Sequence, residues 1–146
     1  MLIEISVAVG IVFVCLLLHV VGILAMSEWL LRKRVYFESE RVRGVYGILL
    51  LFLFSLIMVL HLTEMSLWAV FYHQRGLFAD FETSIYFSLS SYTTIGYGDV
   101  LLPRRWRLLG GVEGISGVLL SGVSTAFIFA VMNLIFQIRR RLRMQE

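Results

Sequence analysis

The sequence predicts an all-α membrane protein, with three transmembrane helices and a short re-entrant helix and loop between the second and third. Three observations carry this. The 146 residues are 59% hydrophobic and 16% charged, and counting the twelve Gly in place of the six Tyr raises the apolar share to about 63%. Ordinary soluble domains are ~45–50% apolar and ~25% charged. Three runs are long enough, as helices, to cross a ~30 Å hydrocarbon core, and a fourth reaches only part of the way. A chain of single-domain size cannot hide so much apolar surface from water. A soluble enzyme or nucleic-acid binder is therefore excluded, and the pI near 9.4 reads as Arg at a lipid headgroup surface.

Residues 1–26 form the first helix. Ile5–Met26 holds 22 residues without Asp, Glu, Lys or Arg, about 33 Å of helix. Its start carries no basic residue and its apolar run is too long for a signal peptide, so a retained span is expected. It has no Arg and cannot sense voltage in the Arg-rich manner. Cys15 reads as a small buried hydrophobe, and one Cys gives neither a disulfide nor a zinc site within one chain. His19 reads as a lone polar contact to another helix. Residues 27–44 are a charged linker, with Arg32, Lys33, Arg34, Arg41 and Arg43 against Glu28, Glu38 and Glu40.

The second unit is 45–138. Val45–Tyr72 is the second span, broken only by His61 and Glu64. Phe81–Thr94 is apolar but 14 residues long, about 21 Å as a helix, which suits a re-entrant segment. Asp80 is placed to cap it, and Glu82 lies where the helix dipole favours a carboxylate. Ile95–Asp99 follow as non-helical backbone, and the only Pro, Pro103, lies beyond them. Leu108–Ile138 is the third span, with Glu113 its one charge. Residues 139–146 are a short tail whose Arg139, Arg140, Arg141 and Arg143 suit anionic headgroups. Nine basic residues fall on the linker and tail side and four (Arg75, Arg104, Arg105, Arg107) on the other. The positive-inside rule then puts the linker and tail in the cytoplasm and the N-terminus outside.

Thr93-Thr94-Ile95-Gly96-Tyr97-Gly98-Asp99 carries the chemistry. Irregular backbone at membrane depth survives only when enclosed in protein or lining water. Gly96 and Gly98 alternate with residues that bear side chains, and glycine reaches positive φ freely, so successive carbonyls can turn to one side. Several chains about an axis would then stack rings of oxygen that replace the hydration shell of a monovalent cation. The competing reading is a plain Gly-rich turn.

Thr94-Ile95-Gly96-Tyr97-Gly98-Asp99 resembles the signature of the potassium channels, with Ile where Val is frequent. The resemblance covers roughly 45–137 as outer helix (45–72), pore helix (81–94), selectivity-filter loop (94–99) and inner helix (108–138). It implies K+ sites made by the carbonyls of Thr94, Ile95, Gly96 and Tyr97 and the Thr94 hydroxyl, with Gly98 in the filter and Asp99 at the outer mouth. It also implies four chains, a homotetrameric channel, because the family's pore needs four strands. Two departures stand out. Tyr86 and Phe87 occupy positions where many members carry Trp, and Ser90 sits where some bacterial members carry Glu. Tyr86 can still donate to Asp99; Phe87 cannot donate, which leaves Ser91 as a partner for Tyr97. Gly117 aligns with the inner-helix glycine that relatives use as a bending point.

The remaining candidates come from the spans. Gly110, Gly114, Gly117, Ser121 and Ser124 share one face of the third span, a close-packing stripe. Phe127, Met132 and Phe136 either narrow the cytoplasmic end or make helix contacts. His61, Glu64, Trp68 and Tyr72 share a face of the second span. His61 and Glu64, at i and i+3, can bond each other, as a brace behind the filter or as a pH-dependent gate, with Glu113 as a possible third member. Three scattered His and one Cys form no nucleophile–base pair or metal cluster in the sequence. The expectation is a passive K+ channel of the plasma (inner) membrane, partnered by its own copies and by lipid. No cofactor beyond the permeant ion, no nucleic acid and no small-molecule substrate are expected. A nonselective cation channel, disfavoured by Tyr97, and a non-conducting regulatory subunit are the alternatives.

Overall fold

The computed structural model describes residues 2–37 and 45–144. Within them the chain is helical: α1 (Leu2–Phe37), α2 (Tyr46–Gln74), α3 (Phe81–Tyr92), a 3-10 turn (Arg104–Trp106) and α4 (Arg107–Arg143). The three helices α1, α2 and α4 are long and apolar enough to cross a membrane. At twelve residues, α3 is about 18 Å long and is not.

Several helix ends differ from the sequence reading, and α4 runs through Arg143, past Ile138 and into the expected tail. α1 runs through Phe37, eleven residues past Met26 and into the expected linker. Charge does not end a helix: no Gly or Pro intervenes, Glu28 and Arg32 pair one turn apart at 3.4 Å, and Leu30 is buried. The rest of that linker, including Glu38, Glu40, Arg41 and Arg43, lies outside the described residues. α3 stops at Tyr92, two residues short of Thr94, because Thr94 turns to φ +60°. At its start the Asp80 carboxylate accepts the Thr83 N–H at 2.6 Å, as the capping pattern predicts.

α1 packs against both α2 and α4, and α3 lies between α2 and α4. Two apolar clusters divide the bundle by height. One joins Met26 and Leu30 of α1, Leu49 and Leu53 of α2, and Val131 and Ile135 of α4. The other joins Cys15 of α1, Trp68 and Tyr72 of α2, Phe87 of α3, and Leu109 and Leu120 of α4. A polar layer separates them: His19, His61, Glu64, Tyr92 and Ser124. At the α3 end of the bundle Arg105 donates to Glu4 at 2.5 Å, tying the start of α1 to the loop before α4.

The glycine stripe of α4 sets how closely α3 approaches. A Cβ on Gly110 would lie 3.1 Å from the Phe87 ring, and on Gly114 3.1 Å from the Ser91 carbonyl oxygen. On Gly117 it would lie 2.1 Å from the Tyr92 carbonyl oxygen. α4 is helical straight through Gly117, so in this structure that residue supplies space rather than a bend. Gly117→Ala should therefore cost about 1–3 kcal/mol, as other overpacking changes do. Gly10→Ala, which meets nothing within 4 Å, should stay within about 0.5 kcal/mol. Thermal unfolding of both variants in detergent checks this; equal midpoints would refute the close-packing account.

Candidate functional site

The end of α3 and the loop after it form the site. Carbonyls in the last turn of a helix have no partner within it, and here the loop supplies several. Thr93 N–H donates to Leu89 O at 3.2 Å, Thr94 N–H to Ser91 O at 3.0 Å and Gly96 N–H to Ser90 O at 3.1 Å. Ser90 acts twice, since its hydroxyl also accepts the Tyr97 N–H at 3.3 Å. The loop is thus stitched back onto the helix that delivers it.

Backbone φ is +60° at Thr94, +58° at Gly96 and +78° at Gly98. Positive φ recurs at every second residue, with Ile95 and Tyr97 between. Two of the three are glycines, for which this is free. Thr94 is the one non-Gly residue with positive φ among the described residues, a conformation that branched side chains adopt only under constraint.

Tyr86 reaches from α3 to the far end of the loop. Its hydroxyl donates to Asp99 at 2.7 Å, and its ring stacks on Tyr97 at 6.3 Å and 9°. Asp99 also accepts the Val100 N–H at 3.0 Å. Donation from Tyr86 holds the Asp99 carboxyl below the usual carboxylate range. Within the single chain Ser90 holds the Tyr97 N–H and Tyr86 stacks on its ring, while the Ser91 hydroxyl lies toward Gly110. The side chains of Ile95 and Tyr97 remain 57% and 67% exposed in the single chain.

Behind the loop lie two separate buried polar groups. Glu113 of α4 accepts from Tyr72 at 2.6 Å and from Ser88 of α3. It does not join His61 and Glu64, as the sequence reading allowed; it meets α3 at Ser88, one turn before Tyr92 where they meet it, and is satisfied there. Glu64 accepts from the Tyr92 hydroxyl, bonds His19 Nδ1 at 2.8 Å and lies 3.3 Å from His61 Nδ1. His61 Nδ1 is also 2.8 Å from the Tyr92 hydroxyl. Both Nε2 atoms, of His19 and His61, contact Ser124 Oγ at 3.1 Å. His19 is therefore no lone contact, and the histidines that look scattered in sequence meet. The ligand atoms of His19, His61 and Glu64 all lie within 4.8 Å of one another.

Sequence reasoning missed Tyr92, Ser88 and the part played by His19 and Ser124. The one available signal was that His19 is the only titratable residue besides Cys15 in the first apolar run.

A family model described as "Ion channel" matches residues 46–133. The match takes in α2, α3, the loop and most of α4, and leaves out α1. No curated protein and no solved structure matches the chain.

The Tyr86–Asp99 bond can be tested alone. Tyr86→Phe removes the donor that favours the charged carboxylate, so the Asp99 pKa should rise toward the ordinary value. A carboxyl held low adds stability above its ordinary pKa that is lost as pH falls through the lowered value; the variant should lose that acid-dependent part. The chain has two Asp, so carbon-13 labelling of Asp carboxyls gives two titrations. Asp80, held low by the Thr83 N–H, is the internal reference. An Asp99 titration unmoved in Tyr86→Phe would refute the bond.

Proposed function

The chain belongs to the ion-channel family, and from that premise we propose that it is the subunit of a potassium-selective channel. It is a membrane protein with three helices able to span. The observation that carries the selectivity reading is the alternation of positive φ at Thr94, Gly96 and Gly98. Alternating backbone of this kind turns successive carbonyls to one side, and rings of such oxygens dehydrate and bind K+. The ion sites are then the carbonyls of Thr94, Ile95, Gly96 and Tyr97 with the Thr94 hydroxyl. The dipole of α3 places partial negative charge at its C-terminal end, beside the start of the filter, which favours cations there.

One chain brings one such loop, and the exposed Ile95 and Tyr97 side chains call for neighbours. We read the assembly as a fourfold homotetramer, in which α3 is re-entrant and each loop is enclosed by the others. Tyr97, braced by Tyr86 and Ser90, favours K+ selectivity over a nonselective pore. The Arg-rich end of α4 faces the cytoplasmic leaflet of the plasma membrane and its anionic lipids, with the N-terminus outside.

Gly96→Ala tests the filter through backbone alone, because a Cβ there meets nothing within 4 Å. Left-handed backbone costs an L-residue roughly 1–2 kcal/mol, and four copies pay it together. Flux into liposomes should show K+ strongly preferred over Na+ in the wild type and K+ flux lost in the variant. Unchanged K+ flux from an assembled variant would sink the filter assignment. Mass measurement in mild detergent should give a tetramer; monomers or dimers alone would refute the assembly.

A further inference from the structure

Glu64, His19, Ser124, His61 and Tyr92 form a closed ring of five contacts drawn from all four helices. A ring of five hydrogen bonds needs five protons. Two neutral imidazoles, one serine and one tyrosine carry four, and an ionised carboxylate carries none. Ser124 has a single hydroxyl proton, so it can donate to only one of the two Nε2 atoms at 3.1 Å, and the other contact needs a proton on Nε2 itself. Wherever the four protons sit, one contact sets two lone pairs against each other. Such a contact in buried surroundings is relieved either by a fifth proton or by a metal cation.

We propose that His19, His61 and Glu64 bind a divalent transition-metal ion of the zinc class, with Tyr92 as a fourth oxygen donor. Two imidazoles and one carboxylate are a donor set suited to zinc. Around Zn2+ at 2.0–2.2 Å, tetrahedral ligand atoms stand about 3.3 Å apart. The Nδ1 atoms of His19 and His61 lie 2.8 and 3.3 Å from the two different oxygens of the Glu64 carboxylate, and one ligand atom from each residue lies within 4.8 Å of the others, so modest side-chain shifts bring the three to that spacing. One proton serves a single contact, whereas one metal ion serves the three side chains together. Ser124 then acts as the second shell: its two lone pairs accept both Nε2–H groups, which fixes both rings with Nδ1 toward the metal. A cleft of about 250 Å³ reaches His61 and Ser124 from between α2 and α4 and gives the ion a way in. The ion would clamp α1, which lies outside the family match, to α2 and to the end of the helix that carries the filter.

The test uses the full chain in detergent, stripped with a chelator and titrated with Co2+ and then Zn2+ alone, so the readout does not depend on ion flux. Co2+ should give the visible bands of a four-coordinate nitrogen–oxygen site, and Zn2+ should displace it at one ion per chain. His19→Gln should abolish the bands, and Ser124→Ala, which spares the ligands, should weaken binding by roughly 10- to 100-fold. His73→Gln, which removes the exposed histidine outside the cluster, should change nothing. Size-exclusion profiles and circular dichroism establish that each variant folds, and if His19→Gln does not, Ser124→Ala decides. Absence of bands in the wild type would mean a shared proton only, and would overturn the site. So would unaltered bands in His19→Gln, or in Ser124→Ala where that variant decides, or their loss in His73→Gln.

Discussion

A helix leaves its last carbonyls without partners of its own, and α3 ends in that situation at Tyr92. Each unsatisfied group there costs free energy comparable to a lost hydrogen bond. The loop answers by folding back: the N–H groups of Thr93, Thr94 and Gly96 take the carbonyls of Leu89, Ser91 and Ser90. That return path runs through the first two of the three positive-φ residues, Thr94 and Gly96. The geometry proposed to bind ions is in this sense tied to the termination of α3. It also explains why Ser90 rather than a larger side chain sits there, since both its carbonyl and its hydroxyl are used.

The neighbours of α3 are arranged around the same requirement. On α4, Gly114 and Gly117 let the helix approach the α3 backbone and Gly110 the Phe87 ring, at distances a Cβ would crowd at the first two positions of the stripe and obstruct at Gly117. On α2, Glu64 takes the Tyr92 hydroxyl, and the Met65 carbonyl lies within reach of Ser88. Ser88 also donates to Glu113 of α4, which Tyr72 of α2 holds in place. Two buried carboxylates thus grip a twelve-residue helix at Ser88 and at Tyr92, one turn apart. Each has phenolic and hydroxyl or imidazole partners, which is how a carboxylate is kept in apolar surroundings.

How much of this was legible in the sequence follows from how local each feature is. The 94–99 loop could be read because glycine spacing, the short helix before it and its Asp80 cap are all contiguous. The Tyr86–Asp99 bond was anticipated for the same reason, being only 13 positions apart. The end of α1 was misplaced because charged residues were taken as a boundary, when helices continue through Glu, Arg and Lys until a breaker appears. The five-membered ring was not legible. Its members lie on four helices, His19 and Ser124 being 105 positions apart, and no periodicity within one helix records which face of another it will meet.

The position of that ring bears on why the chain carries α1 at all. The family match begins at Tyr46, so the matched unit does not include the first helix. Yet α1 is not bound to it by apolar contact alone. Between two lipid-like surfaces such contact has little specificity, because acyl chains compete equally well; polar pairing and close fit decide which helices associate. His19 provides the pairing at mid-height, and Gly22 a little further along provides the fit, lying close against the Leu60 side chain. Arg105 and Glu4 add a third tie at the end nearest α3. Three ties along one helix fix its rotation as well as its position. Because the central tie runs through Glu64 to Tyr92, the last residue of α3, any change in that ring is felt one residue from the start of the loop.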